Sequence, residues 1–311
     1  MGWLWSALLA VGLALPAQAV AAAARPAAGL STVYLALGDS VAAGVGASVP
    51  QRTGNVAHIH RALPPAGALV RSSHLPAGVA AKARSALPRT RTADVGIDQL
   101  INLARSGEST VSMRSGGQLA RAVATIADPA TDVRLVTLII GANDFLPLLQ
   151  TEACADPFGP PCQQAVGVAL ATLAQNYPVV LHSIRQALDA QPGDERLLVM
   201  AYYNPFSGLG NALDRAVDAA QLGSDGVVDC AANAADPTRV GLNDVITCIG
   251  RLYGAEIVDV HPLFRGRAPA LTHITDTPPD IHPNDAGHAV IASAFLRRWA
   301  AGAAASVRRQ L

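Results

Sequence analysis

Residues 32–40 read TVYLALGDS, an apolar run that ends in glycine, aspartate and serine. A short run of this kind, bounded by turn-forming residues, is typical of a buried parallel strand. Four further runs follow, at Gln99–Leu103, Val133–Ile140, Leu197–Tyr202 and Glu256–Val260. Helical patterns lie among them, at Gln118–Ile126, Ala165–Leu188, Gly241–Leu252 and Asn284–Ala301. The alternation predicts an α/β fold in which helices cover both faces of a five-stranded parallel sheet.

The composition is that of a neutral chain with ample material for a core. Half of the 311 residues are hydrophobic, and the formal net charge is zero. No overall field therefore favours nucleic acid or anionic membranes as partners. We predict a single domain over residues 31–303 that acts as a monomer. Residues 44–98 and 203–238 are rich in loop-forming residues, and we expect both segments to border the functional site.

The N-terminus has the pattern of a targeting segment. Residues 3–15 are apolar, Pro16 interrupts them, and residues 17–19 read AQA, a small-residue cleavage site. We predict a signal peptide over residues 1–24 that is cleaved near Ala19, and hence a secreted protein without a stable membrane span. No charge appears before Arg25, so an uncleaved anchor is the alternative. Both readings export the domain.

The four cysteines fit an oxidising compartment. Cys154 and Cys162 are close in sequence, as are Cys230 and Cys248. Three pairings are possible, and we predict the two local ones. Free buried thiols are the alternative, which export disfavours. Neither the cysteines nor the histidines show the spacing of a metal site, so no metal or other cofactor is expected.

Three short motifs directly follow the first three predicted strands. GDS (38–40) ends the first strand, NLARSG (102–107) follows the second, and GAND (141–144) follows the third. The carboxyl ends of parallel strands share one edge of a sheet, where α/β proteins bind ligands, so Ser40, Gly107 and Asn143 should lie together. A fourth motif, DIHP (280–283), places His282 just before the last helix.

These residues supply the parts for attack on an ester. A serine hydroxyl needs a base to take its proton, and a histidine titrates near working pH. The backbone amides of Ser40 and Gly107 and the side-chain amide of Asn143 can stabilise an oxyanion. Each residue alone also has a structural interpretation, as a helix cap, a turn glycine or a loop residue. Only the ordered set indicates catalysis.

The set resembles the SGNH (GDSL) hydrolase superfamily, whose four blocks are named for the residues found here as Ser40, Gly107, Asn143 and His282. The resemblance spans roughly residues 32–300. It implies a flavodoxin-like three-layer α/β/α fold and a serine ester-hydrolase mechanism that needs no metal. The Gly-x-Ser-x-Gly motif of the classical α/β hydrolases is absent.

The third catalytic residue departs from that family's pattern. Members usually carry an aspartate three positions before the histidine, where this chain has Pro279. Asp280 could reach the His282 ring through a tight turn, or Asp276 could do so from further back. A backbone carbonyl could instead orient the ring and leave a Ser–His dyad. We carry Asp280 as the third member.

The sequence therefore predicts a secreted serine esterase or lipase that acts on small-molecule or lipid esters through an acyl-serine intermediate. An acyl-transferase or glycan deacetylase on the same site is an alternative. A non-catalytic module that binds lipid or glycan is another, although binding alone needs no nucleophile and base.

Overall fold

The computed structural model describes residues 30–65, 96–191, 193–236 and 239–309. The predicted signal peptide, residues 1–24, lies outside the described residues, as does the 66–95 part of the first loop-rich segment. Within the described residues, no helix combines the length and the apolarity that a bilayer crossing requires.

A five-stranded parallel sheet forms the centre of the fold, which confirms the predicted class. Its strands are β1 Ser31–Gly38, β2 Gln99–Asn102, β3 Thr131–Ile139, β4 Arg196–Ala201 and β5 Glu256–Asp259. The strand order is β2-β1-β3-β4-β5, and all neighbours pair in parallel. This order reverses direction beside β1, and such a reversal opens a crevice at the carboxyl ends of the strands.

The helices form two groups around the sheet. They are α1 Ser40–Ala43, α2 Pro50–Thr53, α3 Asn55–Ala62, α4 Thr110–Ser115, α5 Gln118–Ala127, α6 Pro160–Asp189, α7 Ala212–Leu222, α8 Cys230–Ala235, α9 Leu242–Leu252, α10 His261–Phe264, α11 Ala268–Leu271 and α12 Asp285–Arg309. Helix α6 contacts α4, α5 and α9, whereas α12 contacts α3, α11 and β5. The apolar side chains of each group thereby pack toward the sheet.

The core is densest where β1 and β3 run side by side. Val33 to Leu37 of β1 and most of β3 are almost completely buried. Strands buried on both faces read as continuous apolar runs, which is why residues 32–37 and 133–140 stand out in the sequence. These two central strands give the site a rigid base, because both end at its edge.

The end of β1 is held in one position by its neighbours. A Cβ at Gly38 would collide with the backbone of Ile139, and Gly38 has a φ of 130°, which suits glycine alone. The buried Gln118 side chain accepts a hydrogen bond from the Gly38 amide at 2.7 Å and donates one to the Gly38 carbonyl at 3.1 Å. The turn into α1 therefore follows directly from a fixed strand end.

Two disulfides close local loops, Cys154–Cys162 and Cys230–Cys248. They are the two pairings expected from the sequence. The first joins a short 3₁₀ turn, Glu152–Cys154, to the start of α6. The second joins α8 to α9.

Candidate active site

Ser40 is the first residue of α1 and lies at the carboxyl end of β1. The Asp39 amide donates to the Ile139 carbonyl at 2.9 Å, and Asp39 Oδ1 caps the helix by accepting the Val41 amide at 2.9 Å. The Ser40 amide is at the start of the helix, where backbone amides have no carbonyl partner within the helix. This turn presents the hydroxyl and the amide of the same residue to the edge of the sheet.

His282 links Ser40 to Asp280 in a continuous chain of hydrogen bonds. His282 Nε2 lies 2.8 Å from Ser40 Oγ, and His282 Nδ1 lies 2.6 Å from Asp280 Oδ1. A carboxylate oxygen only accepts, so Nδ1 carries the proton and Nε2 is left to accept from the serine hydroxyl. The neutral ring therefore has the tautomer that a general base requires.

Asp280 reaches the ring from two residues away because its loop turns tightly. Asp280 Oδ1 accepts the backbone amide of His282 at 3.0 Å as well as the ring Nδ1. Asp276 instead lies 2.7 Å from the ring of His273. The sequence left Asp280, Asp276 or a backbone carbonyl as the group that orients the His282 ring. In the structure, Asp280 contacts the ring through a tight turn.

The surroundings of Asp280 favour its charged form. Partial burial would raise the pKa of this carboxyl group, but hydrogen bonds from the backbone and ring of His282 outweigh it. Nearby His282 and His273 lower the pKa further, and the net shift is downward. A carboxylate beside the ring stabilises the imidazolium that forms when His282 takes a proton.

Asn143 and Gly107 lie in two loops that are tied together. Asn143 Nδ2 donates to the Glu108 carbonyl at 2.9 Å, and Thr110 donates through its amide and hydroxyl to Asp144 at 3.0 and 2.6 Å. Asn143 lines the same cavity as Ser40 and His282. Gly107 is exposed, has a φ of 77° and is not among the lining residues.

A buried polar pair behind these loops was missed by sequence reasoning. Gln118 Nε2 donates to Glu108 Oε2 at 2.8 Å, and Ser112 Oγ donates to Glu108 Oε1 at 2.5 Å. Because Gln118 also binds both backbone groups of Gly38, it joins the Gly107 loop to the strand that carries Ser40. The only signal in the sequence is a glutamate directly after the glycine motif.

Asp39 and Tyr202 form a second buried pair, also missed from the sequence. The Tyr202 hydroxyl donates to Asp39 Oδ2, and both residues are almost fully buried. Burial raises the pKa of Asp39 to about 7, although hydrogen bonds from Tyr202 and the Val41 amide favour the charged form. Burial and the neighbouring Asp39 raise the pKa of Tyr202 well above its ordinary value.

An apolar cavity of about 340 Å³ opens beside Ser40 and His282. Its walls come from the 3₁₀ segment after Asn143, from α6, from the end of β4 and from α7. The apolar lining includes Phe145, Leu146, Leu148, Leu170, Phe206, Val217 and Leu242. The Cys154–Cys162 disulfide forms part of the wall. Such a cavity can take an apolar group of a bound substrate.

Two histidines outside the site have structural partners. His288 is fully buried and bonds the Val45 carbonyl at 3.0 Å, and His261 lies 3.1 Å from Asp218. In the part of the chain that the structure describes, no group of His, Cys, Asp and Glu side chains is arranged to hold a metal ion.

Comparison with solved structures finds chains that are similar to this one over most of their length. A lipase from a goat rumen metagenome, Lip_vut3, is 17% identical, with a TM-score of 0.53 over 86% of this chain and 97% of its own. An extracellular lipase from Streptomyces rimosus is 21% identical, with a TM-score of 0.47 over 85% of this chain and 100% of its own. Phospholipase A1 from Streptomyces albidoflavus NA297 is 20% identical, with a TM-score of 0.47 over 88% and 99%.

Comparison with family models gives the chain its place. No curated protein matches it in sequence. The model of the GDSL-like lipase/acylhydrolase family matches residues 36–290, which include all four motifs, the end of β1 and the whole of β3. The chain therefore belongs to the GDSL-like lipase/acylhydrolase family and is an enzyme that hydrolyses esters.

Proposed function

We propose that the protein is an exported serine esterase that cleaves carboxylic esters through an acyl-serine intermediate. The observation that carries this proposal is the hydrogen-bonded chain from Ser40 Oγ through His282 to Asp280, at 2.8 and 2.6 Å. A nucleophile, a base and an orienting acid in hydrogen-bond contact are the arrangement that activates a serine.

In the proposed reaction, Ser40 Oγ attacks the acyl carbonyl while His282 Nε2 takes the hydroxyl proton. The amides of Ser40 and Gly107 and the Asn143 side chain hold the oxyanion of the tetrahedral intermediate. His282 returns the proton to the leaving alcohol, which departs and leaves Ser40 acylated. A water molecule then attacks the acyl group, again with His282 as base, and releases the carboxylic acid.

The cavity supports an apolar acyl group as the preferred substrate feature. It begins at Ser40 and His282 and continues between side chains of α6 and α7 that are mostly Leu, Val and Ala. The titratable side chains in the lining are Asp39, Tyr202, Tyr203 and His282, and Asp39 is already bound to Tyr202. An apolar chain gains from burial there, whereas a sugar would lose hydrogen bonds to water.

Export is supported by the two disulfides, which persist in oxidising compartments. The proposed signal peptide would deliver the chain to such a compartment.

Hydrolysis of p-nitrophenyl esters of graded chain length tests this proposal. We expect activity that rises from acetate to medium-length acyl chains, that Ser40→Ala abolishes, and that the surface control Ser293→Ala retains. A folded protein that hydrolyses no ester of the series would overturn it and favour a transferase, a deacetylase or a binding role. Equal activity of Ser40→Ala would remove Ser40 as nucleophile.

A further inference from the structure

A second histidine, His273, organises the loop that carries Asp280 and His282. An antiparallel bridge between Thr272 and Pro283 closes this histidine loop, residues 272–283. The His273 amide donates to the His282 carbonyl at 3.0 Å, and the His273 carbonyl accepts the amides of Asp276 and Asp280, each at 3.0 Å. The loop therefore folds back on His273. Because His273 is bonded directly to His282, a displacement of His273 would also displace His282.

The His273 ring faces two hydrogen-bond acceptors. Nδ1 lies 2.7 Å from Asp276 Oδ2, and Nε2 lies 2.8 Å from the carbonyl of Gly46. A carboxylate and a carbonyl oxygen can only accept, so both ring nitrogens must donate and the ring is an imidazolium. In agreement, the hydrogen bonds to Gly46 and Asp276 raise the pKa of His273, helped by the charges of Asp276 and Asp280.

Gly46, which accepts this hydrogen bond, packs closely against His282. It belongs to the nucleophile loop, residues 44–48, in which the Val45 amide donates to the Ser40 carbonyl at 2.9 Å. A Cβ at Gly46 would collide with the Pro283 carbonyl and lie 2.9 Å from the His282 Cβ. The His273 ring thus ties the histidine loop to the loop that continues from the nucleophile.

Two other side chains also hold the nucleophile loop. Asp285 accepts the amide and hydroxyl of Ser48 at 2.8 and 2.5 Å, and these bonds lower the pKa of Asp285 to about 2. His288 bonds the Val45 carbonyl and accepts the Asn55 amide at 3.2 Å, so it is neutral, and burial lowers its pKa to about 4. Neither group changes its charge above neutral pH.

The charged groups around His273 come mainly from its own loop. Asp276 and Asp280 face it there, and Asp280 is also bonded to the His282 ring. Residues 44–48 read GVGAS and bring only the Gly46 carbonyl. Helix α12 brings Asp285 and His288, which bind Ser48 and Val45. Among the three side chains that hold the nucleophile loop, only His273 can lose its contact as the pH rises above neutral.

We propose that His273 is a positioning residue, whose imidazolium holds the histidine loop against Gly46 and so sets the Ser40–His282 contact. This inference rests on the proposed function. A group whose pKa is raised on folding contributes fully below its unfolded value and loses its effect as pH rises through the folded value. Turnover should therefore fall on the alkaline side as His273 loses its proton and the tie to Gly46 weakens.

The pH dependence of kcat tests this role. His273→Gln keeps a side-chain donor for the Gly46 carbonyl but cannot titrate, so we expect it to remove the alkaline decline and to lower kcat at neutral pH by roughly tenfold. Asp276→Asn should move the decline to lower pH, because the imidazolium loses its anionic partner. His182→Gln, an exposed histidine on α6, is the matched control and should leave the profile unchanged.

An alkaline decline that persists unchanged in His273→Gln would overturn the inference. A second readout needs no turnover: histidine-ring and backbone NMR of Ser40→Ala across the same pH range. We expect the Gly46 amide shift to follow the His273 ring titration and to lose that step in His273→Gln. A Gly46 shift that ignores the His273 titration would contradict the inference, even if ester hydrolysis itself failed and the proposed function fell.

Discussion

The orientation of the His282 ring depends on a single oxygen atom. Asp280 Oδ1 accepts both the backbone amide and the ring Nδ1 of His282, so the same bond pair shapes the turn and fixes the tautomer. The ring's other nitrogen then faces Ser40 Oγ. A change at Asp280 should therefore impair the base without removing it, whereas a change at His282 removes the base itself.

Asp280→Asn should lower kcat on the order of 10²-fold, because a neutral amide still holds the ring but does not stabilise the imidazolium. His282→Ala should lower it on the order of 10⁴-fold or more. Steady-state kinetics on one ester measures both, with Asp189→Asn on the surface of α6 as control. Equal losses for the two variants, or none for Asp280→Asn, would contradict this division of roles.

Asp39 makes a different prediction, about stability. Its pKa is raised from 3.8 to about 7, so the folded protein binds more protons there than the unfolded chain, and stability falls as pH rises from about 4 to about 7. Asp39→Asn removes this penalty. The free energy of unfolding of Asp39→Asn should therefore rise relative to that of the wild type across this pH range, by up to about 4 kcal/mol. At higher pH the difference should stay constant.

Urea unfolding of wild type and Asp39→Asn at pH 4, 5.5, 7 and 8 measures this difference. Asp189→Asn, at the exposed end of α6, is the control. A difference that is constant across the range would show that Asp39 does not change its protonation there.

Sequence reasoning reached the residues of the site but not their support. Ser40, Asn143 and His282 stand in motifs next to strand or helix ends, so their meeting follows from the parallel sheet. The contact between Asp280 and His282 depends on a loop that folds back on His273, and no local sequence pattern predicts this loop conformation. Tyr202 reads only as the end of an apolar strand, yet its hydroxyl binds Asp39.

Two loops, rather than two helices, set the distance between nucleophile and base. The nucleophile loop 44–48 packs directly against the histidine loop 272–283, and glycine at position 46 permits this approach. Gly46 also has a φ of 88°, in the left-handed region. Both the close approach and the backbone conformation therefore require glycine.

Gly46→Ala should separate the two loops. We expect a stability loss of about 1–2 kcal/mol from the left-handed backbone and a fall in kcat of roughly 10²-fold from displacement of His282. Gly210→Ala is the matched control, since Gly210 also has a positive φ of 67° but has open space around its Cβ position. Thermal unfolding measures the stability loss, and steady-state kinetics measures the fall in kcat. An equal fall in kcat for Gly210→Ala would contradict the account.

The strands and most of the long helices were predictable, whereas the short elements were not, and α7 lies in a segment that the sequence marked only as loop-rich. The predicted ends of every strand agree with the observed ends to within one or two residues. Continuous apolar runs such as 133–140 are typical of strands that are buried on both faces in an α/β fold. Helices α10 and α11 and the 3₁₀ turns after Asn143 have four or five residues at most, too few for a periodic pattern. Packing against the rest of the molecule decides their conformation.

The molecule as a whole combines a rigid sheet edge with a cavity wall that one disulfide restrains. The wall segment between Asn143 and α6 has little regular structure, and Cys154–Cys162 closes it. Sequence reasoning placed loop-rich segments at the site but could not assign this one to the cavity, because its Leu and Phe residues follow no period. Because the disulfide joins this segment to α6, the segment helps to shape the part of the cavity that α6 lines.

Loss of the Cys154–Cys162 disulfide should alter acyl selectivity more than chemistry. Cys154→Ala/Cys162→Ala should lower stability by about 2–3 kcal/mol and reduce the preference for longer acyl chains, because the wall loosens. Cys230→Ala/Cys248→Ala is the control and should change stability but not chain-length preference. Ester kinetics along a chain-length series would contradict the prediction if both pairs changed selectivity alike. The wild type, exported as we propose, should show no reactive thiols in denaturant.

The central claim is that Ser40 is a nucleophile activated by His282, and covalent labelling tests it most directly. Treatment with an alkyl fluorophosphonate, followed by peptide mass spectrometry, reports which serine is activated. We expect one adduct per chain, on the peptide containing Ser40, and strongly slowed labelling in His282→Ala. An adduct on another serine, or no adduct on a folded protein, would contradict the account.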